Sequence, residues 1–218
     1  MKKNIQFVLT GIATALLVVG CASGPSVAEL NELTNKIVKA SFRDQGVAKV
    51  DRVLNVDETN RACSEADVAG KPLDEKTAKA IEEMNLKAIQ WPSDGKFIGD
   101  WKEGEKIAQS GRGLTWTDKA GDVNGGNCYN CHQISKEEIS FGTIGPSLYN
   151  YGKIRGVTDP NSAAAKPIVE YTWGKLQNAR AYNACSNMPR FGHKGVLTET
   201  QIKNVMALLL DPASPVNK

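Results

Sequence analysis

The clearest hydrophobic pattern lies near the end of the chain. Apolar residues recur there at positions i, i+3, i+4 and i+7, which is typical of an amphipathic helix with one buried face. The residues of this stripe are Ile202, Val205, Met206 and Leu209. Thr198 and Gln201 have capping-box spacing in front of the stripe, and Asp211-Pro212 follows it. We therefore predict a helix between Thr198 and Asp211.

Two further helices are predicted in the second half of the chain. Asp100 and Glu103 are spaced as a helix cap and its capping-box partner, and that helix should end near Gly111. Its apolar face consists of Trp101, Gly104, Ile107 and Ala108. Because Gly104 lets another backbone approach closely, we expect this helix to pack across the last one. With a third helix at about 168–178, the fold class is mainly α.

Residues 29–95 show weaker patterns and form an N-terminal extension to a domain at 97–214. Asp74 and the acidic residue after it predict a helix over about 74–89. The β-branched residues between Val50 and Val56 allow a short strand. No motif in the extension indicates a function.

The N-terminus has the organisation of an export signal. Lys2 and Lys3 precede an apolar run over about 7–19, which is too short for a comfortable membrane span. Val18-Val19-Gly20-Cys21 resembles a bacterial lipobox, so residues 1–20 are predicted to be a lipoprotein signal peptide, Cys21 an acylated first residue and 21–28 a tether. An ordinary secretory signal and an uncleaved anchor are the alternatives.

Export places the domain on the periplasmic side of a bacterial membrane. No aspartate follows Cys21, and by resemblance to known lipoproteins the outer membrane is favoured; a soluble periplasmic protein is the alternative.

Composition and charge exclude some classes of protein. The chain has 218 residues, 41% of them hydrophobic, which suits one globular domain with a modest extension. Its 27 basic and 24 acidic side chains are interleaved, and loss of Lys2 and Lys3 leaves the chain nearly neutral. Because there is no concentrated basic face, nucleic-acid binding is not expected.

Cys128, Cys131 and His132 form a C-x-x-C-H motif, the pattern of c-type haem attachment. Two thiols three positions apart can add to the vinyl groups of one porphyrin, while the next imidazole binds the iron. A thioredoxin-like redox pair and half of a zinc site are the alternatives. Both lack support, since there is no second C-x-x-C and no βαβ pattern. We expect one covalently bound haem c.

The sequence also offers partners for His132 and for the sixth position of the iron. The Gly145-Pro146 turn can supply a backbone carbonyl, that of Pro146, to orient the imidazole. Met188 lies in an irregular loop and is the expected sixth ligand, with His193 or an open site as alternatives. Met84 and Met206 fall on predicted helices, where methionine usually fills the core.

Two cysteines remain, Cys63 and Cys185, and an even remainder in an exported protein permits one disulfide. Such a bond would fasten the extension beside the Met188 loop. Alternatively, Cys185 is a free thiol that takes part in sulfur chemistry, or the two cysteines are inert or form intermolecular bonds.

Three motifs in this order support a family resemblance. They are Cys128-Tyr129-Asn130-Cys131-His132, Gly145-Pro146-Ser147-Leu148 and Asn187-Met188-Pro189-Arg190-Phe191-Gly192. The first two are common to class I cytochromes c. All three together resemble SoxX, the monohaem cytochrome subunit of bacterial Sox sulfur-oxidation systems, over about 97–212.

This resemblance implies a mainly α, class I cytochrome c-like haem domain with His132 and Met188 as axial ligands. It further implies a heterodimer with a SoxA-like subunit that couples thiosulfate to a cysteine of a sulfur-carrier protein. The reactive cysteine belongs to SoxA, so this chain would accept electrons, pass them to a downstream acceptor and not be catalytic alone. A general class I electron shuttle and a haem peroxidase are the alternatives.

Overall fold

The computed structural model describes residues 24–218, which fold into α-helices joined by long irregular segments. The helices are α1 (Val27–Ser41), α2 (Asp51–Leu54), α3 (Glu58–Val68), α4 (Glu75–Lys87), α5 (Trp101–Gln109), α6 (Lys166–Gln177) and α7 (Glu199–Leu210). Over the described range the only β-type pairing is an isolated bridge between Gln45 and Ala48. The prediction of a mainly α fold is confirmed.

Helices α5 and α7 cross at very short distance, and Gly104 is the point of contact. A Cβ atom added to Gly104 would lie 2.1 Å from the carbonyl oxygen of Asn204. The residues that lead into α5 are held against α7, because Gly99 N–H donates to the Lys203 carbonyl at 2.9 Å. Asp100 N–H likewise donates to the Asn204 side chain at 2.9 Å. The predicted crossing of the two helices is confirmed.

The predicted capping box is present in α7 but not in α5. Thr198 and Gln201 form the predicted capping box at the start of α7. Asp100 caps α5 by accepting a hydrogen bond from a backbone N–H of the first turn. Glu103 instead forms an ion pair with Lys106, so the capping box predicted there is wrong.

The core lies between α5, α6 and α7. Trp173 on α6 is fully buried and donates its indole N–H to the Gln90 carbonyl at 2.8 Å. Met206 on α7 is also fully buried, as its place on the apolar stripe predicts. The indole hydrogen bond ties the end of the extension directly to the core of the predicted domain at 97–214, which contains the C-x-x-C-H motif and is called the haem-motif domain below.

The extension contains four helices, α1 to α4, of which the sequence indicated only α4. Residues 51–54 form α2, so the short strand suggested for this segment is wrong. Helix α1 begins at Val27, inside the predicted tether. Asp57 caps α3 and Asp74 caps α4. No helix within 24–218 is long and apolar enough to cross a membrane.

Helices α3 and α4 pack on the second half of the chain through buried polar contacts. Asn85 accepts a hydrogen bond from the Asn178 amide at 2.9 Å and donates to Thr59 at 3.3 Å. Glu82 accepts the backbone N–H of Ala184 at 3.1 Å. Because buried amides without partners are costly, these bonds specify how the extension docks.

Replacement of Gly104 by alanine tests the close crossing. An interior helical glycine without close neighbours gains about 1 kcal/mol when changed to alanine. Here the added methyl group meets backbone, so Gly104→Ala should lower the free energy of unfolding by about 2 kcal/mol or more. Denaturant unfolding followed by circular dichroism measures this free energy of unfolding. Lys102→Ala, an exposed change on the same helix, should stay within about 0.5 kcal/mol; stabilisation by Gly104→Ala would contradict the crossing.

Candidate functional site

The C-x-x-C-H motif folds as one compact turn. Residues Cys128–Asn130 form a 3₁₀ turn that follows Asn127, whose φ of 49° is left-handed. The Cys128 carbonyl accepts the N–H of Cys131 at 3.1 Å and that of His132 at 2.9 Å. Both cysteines and the histidine therefore belong to a single hydrogen-bonded unit.

Helix α5 holds this turn in place. The N–H of Gly126 donates to the Ile107 carbonyl at 2.8 Å. Tyr129, between the two cysteines, is buried and donates its hydroxyl proton to Glu105 on α5 at 2.9 Å. Burial and the neighbouring Glu105 raise the pKa of Tyr129, which keeps the phenol protonated as a donor. Glu105 is a positioning residue that sequence reasoning missed.

The His132 ring is fixed by the Gly145-Pro146 turn. Its Nδ1 lies 2.7 Å from the Pro146 carbonyl oxygen, the acceptor suggested by the sequence. The ring lies against Gly145, where an added Cβ would fall 2.1 Å from Cε1. Because Nδ1 donates to a carbonyl, Nε2 is left as the nitrogen that can bind a metal.

The properties of the cysteines do not support the alternative of a redox pair. Cys128 and Cys131 are not bonded to each other. Burial, with a further contribution from Cys131, raises the pKa of the Cys128 thiol to about 12. Reactive redox cysteines have lowered pKa values, so this thiol lacks the character of a thioredoxin-type nucleophile.

The zinc alternative also lacks support in the structure. Among residues 24–218, no group of three or more histidine, cysteine, aspartate or glutamate side chains could hold a metal ion. The turn offers two thiols that would form thioether links to a porphyrin and one oriented imidazole that would bind its iron, which fits haem c.

Met188 lies in a loop that is anchored just before it. Cys63 on α3 and Cys185 form a disulfide with a Cα–Cα distance of 5.5 Å. Met188 is half-buried and packs against the hydrophobic core. The other methionines are differently placed, because Met84 is 45% exposed on α4 and Met206 is fully buried. The expectation that Met84 fills the core is therefore wrong.

The loop is anchored again just after Met188. Arg190 is buried and forms an ion pair with Asp57, the residue that caps α3. Lys194 reaches the same carboxylate at 2.7 Å. Although partial burial opposes ionisation, hydrogen bonds from Lys194, the Asn60 N–H and Arg190 hold the pKa of Asp57 well below its usual range. Nothing in the local sequence marks Asp57 as the partner of Arg190 and Lys194.

His193, the alternative ligand, lies at the end of this loop. It is exposed, and its backbone N–H donates to the Gln177 carbonyl on α6 at 2.9 Å. The neighbouring Gly192 packs against Gln177, because an added Cβ would fall 2.0 Å from its side-chain oxygen. These contacts fix the far end of the Met188 loop on α6.

The fold and the motif define a haem-binding electron-transfer protein. The family model for cytochrome c matches residues 102–211. A protein of Aquifex aeolicus (strain VF5) named "Uncharacterized lipoprotein" is 33% identical over 225 aligned residues, covering 100% of both chains. The chain belongs to the cytochrome c family, whose haem domain binds haem c covalently. Cys21 and the predicted signal peptide lie outside the described residues.

Gly145→Ala tests the fixed orientation of His132. The added methyl group would overlap the imidazole, so the ring should lose its hydrogen bond to the Pro146 carbonyl. We expect the haem to remain covalently attached, which a pyridine haemochrome assay verifies. The fraction of high-spin ferric haem, measured by electron paramagnetic resonance, should rise. Gly111→Ala, where the new Cβ would meet Asn127 at an ordinary 3.5 Å, is the control. Unchanged spectra for Gly145→Ala would refute this geometry.

Peptide mapping without reduction tests the Cys63–Cys185 bond. We expect one cross-linked pair of peptides and no thiol at either position that can be alkylated after denaturation. Because the bond closes a long loop, Cys63→Ser combined with Cys185→Ser should destabilise the fold by about 2–5 kcal/mol. Two alkylated cysteines in the denatured, unreduced protein would show that the bond is absent.

Proposed function

We propose that this chain is a monohaem electron-transfer cytochrome with His132 and Met188 as the axial ligands of its haem iron. Haem c supplies a one-electron couple between ferric and ferrous iron. The observation that carries the proposal is the anchoring of the Met188 loop on both sides by one helix of the extension, α3, and its cap.

The two anchors lie very close to Met188 in sequence. Cys185 precedes it by three residues and Arg190 follows it by two. A loop anchored at both ends has few alternative conformations, so Met188 would rarely leave the iron. A peroxidase needs an open or displaceable sixth position, which this arrangement opposes.

The chemistry of the cysteines supports a relay that is not catalytic alone. Within residues 24–218, Cys63 and Cys185 are bonded to each other, and Cys128 and Cys131 form the proposed haem-attachment pair. The described part of the chain thus has no further cysteine to carry a sulfur substrate. The Cys63–Cys185 bond speaks against the alternative in which Cys185 is a free thiol.

The finer proposal is that the chain pairs with a SoxA-like subunit and accepts electrons as thiosulfate is coupled to a carrier cysteine. Its support is the N-M-P-R-F-G motif, whose arginine is Arg190 and whose glycine is Gly192. Arg190 anchors the loop to Asp57, and Gly192 packs against Gln177. A general periplasmic electron shuttle fits the family membership equally well.

The proposed location is the periplasmic side of the outer membrane, with Cys21 acylated. The lipobox-like Val18-Val19-Gly20-Cys21 supports it, as does the name of the similar Aquifex aeolicus protein, which is a lipoprotein.

Asp57→Asn tests the ionic anchor. Loss of the ion pairs should populate an open loop, and external ligands bind in proportion to that population. We expect imidazole to bind the ferric variant about ten-fold more tightly, measured by optical titration. Asp67→Asn, an exposed change on the same helix, should leave the affinity unchanged. Equal affinities for the Asp57 variant and the wild type would contradict a role for the anchor.

The same titration has a predicted pH dependence. The ion pairs lower the pKa of Asp57 in the closed loop relative to its pKa in the unfolded chain. Ionised Asp57 therefore stabilises the closed loop fully above the unfolded pKa, and this stabilisation is lost as the pH falls towards the native pKa. Wild-type affinity for imidazole, corrected for imidazole protonation, should be constant from about pH 5 to 8 and should rise only below about pH 4. Asp57→Asn should remove this acid response.

Purification of the haem-loaded protein from native membranes tests the proposed function. The weak near-infrared band of methionine bound to ferric haem should be present, and Met188→Ala should abolish it. A SoxA-like partner in the mass spectrum supports the thiosulfate-oxidising complex. The band without that partner indicates the general shuttle, whereas a wild type without the band and with peroxide turnover indicates the enzyme.

A further inference from the structure

Helix α1 has an apolar face that nothing in the described structure covers. None of its residues is buried. Val27 is 69% exposed, Leu33 53% and Ile37 53%, and Phe42, directly after the helix, is 57% exposed. Within residues 24–218, its main packing contact is with the short α2. A soluble helix gains most of its stability by burying such a face, so the exposed stripe requires a cover.

The helix is divided sharply between an apolar and a charged side. At 100° per residue, the valine, leucine and isoleucine side chains from Val27 to Val38 fall within an arc of about 140°. The charged residues occupy an arc of about 80° on the other side. They are Glu29, Glu32, Lys36 and Lys39. This is the pattern of a helix that lies in the plane of a membrane interface.

The chain preceding α1 places the helix close to the proposed lipid anchor. Ser26 and Glu29 form a capping box that fixes the start of the helix at Val27. Val27 follows Cys21 by six residues, which span at most about 20 Å even when fully extended. If Cys21 carries acyl chains in the bilayer, α1 is confined to the membrane surface.

We propose that α1 lies along the lipid surface with its apolar face inserted among the acyl chains. This inference rests on the proposed acylation of Cys21, since the anchor keeps the helix at the interface and removes most of the entropy cost of association. The two acidic and two basic side chains of α1 balance. Insertion should therefore depend on apolar burial and be insensitive to salt and to anionic lipid.

A membrane-bound α1 would also restrain the haem-motif domain. The segment after α1 contacts the loop before the haem motif, because Arg52 donates to the Leu114 carbonyl at 2.6 Å. Gly46 lies against the same loop, with an added Cβ 3.5 Å from the carbonyl oxygens of Trp116 and Asp118. A membrane-bound α1 would limit the rotation of the domain and select which of its faces partners can reach.

Hydrogen exchange of the acylated holoprotein in phosphatidylcholine vesicles tests the proposal. Leu30→Gln/Leu33→Gln/Ile37→Gln removes the apolar face, and Glu32→Gln/Asn35→Gln/Lys36→Gln is the matched triple change on the polar side, which keeps the net charge of the helix. Glutamine keeps a helix propensity close to that of leucine. The haem absorption spectrum verifies that each variant is folded. We expect amides 27–41 to exchange at least ten-fold more slowly in the wild type and the polar-side control than in the apolar-face variant.

The outcomes separate this inference from the anchor. The mass of the N-terminal peptide reports acylation independently. Acyl chains together with equally fast exchange in all three proteins would overturn the inference and leave the anchor standing. Protection on vesicles without acyl chains would support the helix placement and remove the anchor. Protection that grows with protein density, or that needs other membrane proteins, would assign the face to a second copy or a partner and overturn the lipid contact.

Discussion

The close crossing of α5 and α7 at Gly104 is the constraint on which the haem-motif domain depends. Because no side chain separates Gly104 from the Asn204 backbone, α5 sits deep against α7. The carbonyl of Ile107 at the end of α5 then receives the N–H of Gly126, and Glu105 receives the Tyr129 hydroxyl. The motif turn is thus built on a helix whose own position is set by one glycine, and an error in the crossing would be transmitted to both cysteines and to His132.

The loop that bears the proposed ligand Met188 depends on the extension. Helix α3 supplies Cys63, and its cap Asp57 holds Arg190, so a segment without a recognisable motif fixes the loop that bears Met188. Buried amides of Asn85 and Asn178 dock the next helix beside the same region. These contacts favour one arrangement of the loop, which suits electron transfer, because a fixed ligand set lowers the reorganisation that accompanies each change of oxidation state.

Local patterns predicted much of the haem-motif domain. The capping box and stripe of α7, the glycine at the crossing and the Gly-Pro turn beside His132 act over short distances or through one residue type. The extension was harder, because α3 is stabilised by contacts more than a hundred residues away, such as Asp57 with Arg190. Partial alternation of β-branched residues wrongly suggested a strand at α2, where the chain forms a single helical turn. Glu105 could not be found either, since one helical acid looks like any other surface residue.

Two structural features form the proposed haem site: an extension that restrains the Met188 loop, and a motif turn built on α5. We propose that the restrained residue, Met188, binds the haem iron opposite His132. X-ray absorption at the iron edge of the ferric holoprotein tests this ligation, because the thioether links to the porphyrin do not place sulfur on the iron. One sulfur atom is expected in the iron coordination shell of the wild type and should be lost in Met188→Ala. A shell of nitrogen and oxygen atoms alone in the wild type would contradict it.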